Sequence, residues 1–140
     1  MPSSGRPLEG AIVDATTIKT QLAATTTCHL FKEGWAPGPG NVAADFALHE
    51  ADYEGYAAAT IATWSSVYIY GGGAGAFISG VDQYFPWVAG AGTPSNTIAG
   101  FWLQDAAGMV REYVVFDTPV VISGAGQVVP VTPTILFPAS

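Results

Sequence analysis

The densest run of chemistry-bearing side chains is HEADYEGYAA, His49 to Ala58, where His49, Glu50, Asp52 and Glu54 stand among tyrosines and alanines. On a single helical turn His49 would face Asp52 and Glu50 would face Glu54, two small ligand pairs for a hard cation. Calcium takes about six to eight oxygens from a glycine-bearing loop of alternating carboxylates, a spacing that HEADYEG lacks. Zinc would need a further His or Cys, and only Cys28 and His29 stand elsewhere in the chain. The expectation is therefore no metal and no cofactor. The run reads as a solvated corner that carries Tyr53 and Tyr56 into the core and leaves its carboxylates in water.

Other reactive patterns are weaker. A pair of carboxylates for glycoside hydrolysis would have to join Glu50, Asp52 or Glu54 to Asp82, Asp105 or Glu112, and no spacing sets such a pair. Asp105 is better used as a turn residue, and Asp117 as the end of a strand before Thr118-Pro119. Cys28 and His29 are adjacent in a strand pattern, so they point to opposite faces and cannot act as nucleophile and base. GGGAGA at 71–76 and GAG at 90–92 and 124–126 have glycine but no following Lys-Ser/Thr, which excludes phosphate loops. These readings leave no enzyme expected.

The aromatics are the remaining chemistry. Trp35, Trp64, Trp87 and Trp102, with Tyr68, Tyr70, Tyr84 and Phe85, suit a core or an intersubunit contact better than a sugar-stacking platform. Trp87, next to Pro86, is expected to be exposed. Trp35, His49 and Trp87 are the residues expected at an interface or ligand contact.

Composition limits the partners. Of 140 residues, 49% are hydrophobic and only 11% charged, against a usual charged share of about 25%. A surface so poor in charge fits self-association. The net charge of −7 supplies no basic stripe, which excludes nucleic acid and anionic membrane as partners. One cysteine forbids an internal disulfide. No stretch approaches the roughly 18–20 apolar residues of a membrane span, and the N-terminus lacks a secretory apolar region, so synthesis in the cytosol is expected.

The elements that must position these residues read as mostly strands. Residues 1–27 are expected to be an arm with a short helix over 15–23, N-capped by Asp14, and 28–140 a single β-sandwich domain. TCHLFKE alternates as a strand ending at Gly34, and WAPGPGN is a loop anchored by Trp35. Strands at 60–70 and 77–88 flank GGGAGA, with Pro86 marking an edge or a bulge. Thr97–Gln104 and Met109–Phe116 around Asp105-Ala106-Ala107-Gly108 form a hairpin. VVI, QVVPV and TILF add three more short strands. Eight or so strands predict an all-β fold, a single jelly-roll-like sandwich.

The run CHLFKEGWAPGPGNVAADFALHEADYEGYAAATIATW, followed by NTIAGFWLQDAAG, TPVVISGAGQ and VPVTPTILF, resembles small virion structural proteins of tailed bacteriophages over residues 28–138. The resemblance implies a structural role, most simply a capsid decoration subunit, with no active site to carry over. It also implies a homo-oligomer, a trimer favoured, that contacts a major capsid or other virion protein in a virion assembled in the host cytoplasm. The alternative it allows is a carbohydrate- or receptor-binding module of a fibre, with a host surface glycan as partner and the 71–76 and 89–96 loops beside Trp87 as the surface. Glu50, Ala51, Tyr53, Gly55, Tyr56, Gly100 and Gly108 would then be corner and packing positions. His49 stands where the pattern leads one to expect a capping Thr or Ser, which leaves it as a cap, a pH-sensitive subunit contact, or neither.

Overall fold

A computed structural model describes residues 5–22, 26–88 and 95–140; the 90–92 glycine run and most of the 89–96 loop lie outside them. Among these residues two helices and nine strands follow in the order α1 (Leu8–Leu22), β1 (Thr26–Lys32), α2 (Ala43–Ala47), β2 (Ala59–Ile61), β3 (Tyr68–Tyr70), β4 (Gly75–Ser79), β5 (Gln83–Pro86), β6 (Asn96–Gln104), β7 (Val110–Ile122), β8 (Val128–Val131) and β9 (Thr134–Pro138). The fold is mostly β and every strand pairing is antiparallel. The strands make a four-stranded sheet β2-β1-β6-β7, a three-stranded sheet β3-β4-β9 and the pair β5-β8.

The four-stranded sheet is covered on both faces, which is why β6 reads as an almost unbroken apolar run. On one face Cys28, Leu30, Ile98 and Leu103 join the main core with Ile78, Phe85, Val129 and Phe137. On the other, Phe31, Phe46, Ala99 and Trp102 form a second cluster, flanked by Trp35, Val110 and Tyr113. The 6–7 hairpin forms as expected, and Asp105 closes it by accepting the N–H groups of Ala107 at 3.0 Å and Met109 at 2.9 Å.

Several expectations change. The 60–70 and 77–88 segments are each two strands: β2 pairs with β1 and β3 with β4, so the chain changes sheets between Ile61 and Tyr68, where Trp64 bridges to Gly80. VVI is no separate strand but the end of β7, whose register with β6 jumps between Ile98 and Gly100 where the Asp117–Pro119 segment bulges out. The helix begins at Leu8, well before residue 15, directly after Pro7, whose carbonyl accepts Ala11 N–H. Asp14 is inside that helix and pairs with Arg6 at 3.1 Å, so it caps nothing. From Leu8 to Leu22 the expected arm is part of the fold. Ala11, Ala15 and Leu22 are buried in the main core, and the helix packs on β4 and β9.

Candidate functional site

The HEADYEGY run is neither a helix nor a simple solvated corner. Its first part extends the edge of the four-stranded sheet beyond β2: Lys32 N–H donates to His49 O at 2.8 Å, and Ala51 N–H to Leu30 O at 3.0 Å. The β1 ladder has a gap between those bonds and the Cys28–Ala59 pair. The Tyr56 hydroxyl fills it, accepting Leu30 N–H at 3.1 Å and donating to Glu50 Oε2 at 2.6 Å. A turn at Tyr53–Gly55 returns the chain so that Tyr56 can reach β1. Gly55 has φ +85°, and a side chain there would collide with Val88, so only glycine suits that position.

Glu50 faces the second cluster. Its Oε2 lies 2.7 Å from His29 Nδ1, and His29 Nε2 lies 2.8 Å from Thr27 Oγ1. The His29 ring stacks on Trp102 with centroids 4.6 Å apart. Burial works against the charge on Glu50, but hydrogen bonds from His29 and Tyr56 outweigh it and hold the carboxyl below the usual glutamate range. Thr27, His29 and Glu50 thus form a hydroxyl–imidazole–carboxylate line, the order used by nucleophilic hydrolases. Here the Thr27 hydroxyl also lies 3.5 Å from Gln104 O, and the imidazole is covered by the Trp102 indole, so the line is satisfied within the sheet.

Over this face sits an aromatic cap. The short α2 helix is held at its start by Asp45, whose carboxylate accepts Val42 N–H at 2.9 Å and an Asn41 amide N–H at 3.3 Å. These bonds lower the Asp45 pKa. The helix lowers Phe46 between Phe31, Trp35, Trp102 and Tyr113, with ring centroids 4.9–6.1 Å away. Phe31 in turn lies over Gly100, where a Cβ would strike the Phe31 ring and the Val114 carbonyl. His49 comes after the end of α2, not before a helix, so of its three alternatives the helix cap does not arise. Its ring stacks on Trp35 at 4.5 Å with the planes 6° apart.

Asp52 works on the opposite side of the same edge. Its Oδ2 accepts Lys32 Nζ at 3.1 Å and its Oδ1 accepts Asn96 Nδ2 at 2.8 Å. Asn96 Oδ1 in return accepts the backbone N–H groups of Asp52 at 2.8 Å and Tyr53 at 3.1 Å. These partners, the Asn96 amide first, hold Asp52 below the usual aspartate range. Lys32, Glu33, Asp52, Ser95, Asn96 and Thr97 line an open polar groove.

Of the residues expected at a contact, Trp35 and His49 stand together and Trp87 stands apart. Trp87 is half-buried rather than exposed, because its ring stacks on Tyr53 at 5.9 Å, and Tyr53 donates to Phe85 O at 2.8 Å. Burial pushes the Tyr53 hydroxyl up to about 12. The partners that sequence reasoning missed are Thr27 and His29 for Glu50, and Lys32 and Asn96 for Asp52. Strand alternation places Thr27 and His29 on one face, but Asn96 reaches Asp52 only through tertiary pairing. No protein-family model matches this chain, and no curated protein and no solved structure matches it significantly.

Proposed function

We propose that the chain is a structural subunit of a tailed-phage virion, a capsid decoration protein that associates with copies of itself and with the shell. In this reading the three sheets are the layers of one jelly-roll-like sandwich, and the particle is assembled in the host cytoplasm. The observation that carries it is the apolar margin of the sheets. Tyr68 and Ile69 on β3, Tyr84 on β5, Val115 and Val121 on β7 and Leu136 on β9 are each more than half exposed. In a chain with only 11% charged residues, exposed large apolar side chains that run together would mark an interaction surface. The hydrophobic share, the acidic balance and the resemblance over residues 28–138 support the same role. A glycan-binding module fits less well, since Trp87 spends one ring face on Tyr53.

Native mass measurement of the full chain tests this. A homo-oligomer is expected, a trimer favoured, and Ile69→Lys with Val121→Lys should shift it to monomer with an unchanged far-UV circular dichroism spectrum. A wild-type monomer at all concentrations would sink the proposal, and glycan binding lost in Trp87→Ala would favour the receptor-binding alternative.

A further inference from the structure

A Lys–Asp ion pair at a surface is ordinary and contributes little. The pair between Lys32 and Asp52 differs in what else the carboxylate holds. One oxygen takes the Lys32 ammonium at 3.1 Å and the other takes the carboxamide nitrogen of Asn96 at 2.8 Å. An amine and an amide are thereby brought to the two oxygens of a single acid. The Asn96 oxygen points away from that acid, into the backbone N–H groups of Asp52 and Tyr53 at 2.8 and 3.1 Å. Two converging N–H donors polarise the carbonyl and are placed to hold negative charge on it, the arrangement of an oxyanion hole. Asn96 is only 5% exposed, whereas the Lys32 and Asp52 side chains are 34% and 54% exposed, so the electrophile is held still and the groove is open for a small product to leave.

We propose that Lys32, Asp52 and Asn96 form a self-processing site that joins Lys32 Nζ to Asn96 Cγ in an intramolecular amide bond. Asp52 takes a proton from the Lys32 ammonium, and the freed lone pair adds to Cγ. The charge that develops on Oδ1 rests on the Asp52 and Tyr53 N–H groups. Asp52 then passes its proton to Nδ2, and the Cγ–Nδ2 bond breaks as ammonia leaves. The same carboxylate takes the surplus proton from Nζ and hands it to the freed ammonia, which departs as ammonium; the new Cγ–Nζ amide remains, and Asp52 ends as the carboxylate it was. No oxidant, metal or cofactor enters the balance. The bond would tie β1 to β6 in the register already set by the Lys32–Ile98 pair. The reaction happens once per chain and is independent of the virion reading, although a covalent tie would suit a subunit under load.

The test is the intact mass of the folded full-length chain, incubated near neutral pH and then denatured. The expected result is a mass lower than the sequence mass by one ammonia, with a branched peptide joining the Lys32 and Asn96 fragments after digestion. Lys32→Arg and Asp52→Asn should stay at their full sequence masses while keeping the wild-type far-UV spectrum. A wild-type chain at full mass with free Lys32 overturns the proposal, and so does loss of ammonia with Lys32 unmodified, which marks a succinimide at an asparagine. Because the deciding measurement is made on the wild type, a variant that misfolds does not blunt it. Bond formation that persists in Asp52→Asn would overturn the role given to the carboxylate.

Discussion

Tyr56 shows how one atom can settle a local structure. Its hydroxyl stands in for a missing strand partner at Leu30 and at the same time orients Glu50 toward His29. Glu50 is one of several carboxylates that set the response to acid. Glu50, Asp45, Asp52 and Asp105 are all held below their ordinary values of 4.5, 3.8, 3.8 and 3.8. A group whose folded value is depressed contributes stability that is present above its unfolded value and is lost as pH falls through the folded one. Glu112 acts in the opposite sense, since burial raises it and its protonation eases folding. Four groups against one predict an unfolding free energy that declines as pH drops below about 4.5. Glu50→Gln should lower stability near neutrality by about 1–3 kcal/mol, because hydrogen bonds to a charged group are lost, and should flatten the acid limb. Urea unfolding at a series of pH values reads both, and a limb of unchanged steepness in the variant would remove Glu50 from the account.

At the scale of elements, β6 is the strand on which the others depend, lying between β1 and β7 and covered on both faces. Gly100 at its centre lets Phe31 lie flat across the sheet and lets Phe46 close the second cluster above it. Gly100→Ala should therefore cost about 1–3 kcal/mol or more through overpacking, with loss of near-UV circular dichroism from the aromatic cap. Thermal unfolding measures it, and a variant as stable as the wild type would mean that Phe31 can move aside. Much of this was legible in the chain. The β6–β7 hairpin follows from two β-rich runs around Asp105 to Gly108, and the β1 alternation put Cys28 and His29 on opposite faces, as they are. The break of 60–70 into β2 and β3 was not legible, because a strand that ends in one sheet and resumes in another has the same composition as one that continues.

For the whole molecule, the weight of the N-terminal segment is the main revision. An arm could be removed from a domain without harm, but α1 places Leu22 at 1% exposure and covers β4 and β9. Its start is tied to the other terminus, since Arg6 N–H donates to Ser140 Oγ at 2.8 Å and Ser140 N–H to Arg6 O at 2.6 Å. Burial of a leucine alone stabilises by roughly 1.5–3 kcal/mol, a large part of a small domain's margin. Deleting residues 1–22 should abolish cooperative unfolding and expose apolar surface to a hydrophobic dye. A truncated chain that melts with a single sharp transition would show that the helix is an addition to a self-sufficient sheet assembly.

What the sequence determined by itself was the class of the fold, the main hairpin, the glycine-dependent corner and the poverty of surface charge. Each follows from short-range rules: period-two alternation, the demands of turns, and composition. Only the tertiary structure decided which side chains meet. His29 and Glu50, and Lys32, Asp52 and Asn96, come together because β1 lies between the 49–51 edge and β6, and strand order is a long-range choice that no local pattern encodes. HEADYEGY was visible as a cluster of acids from the outset; that Glu50 orders a histidine while Asp52 holds an amine and an amide on one carboxylate is a property of the fold.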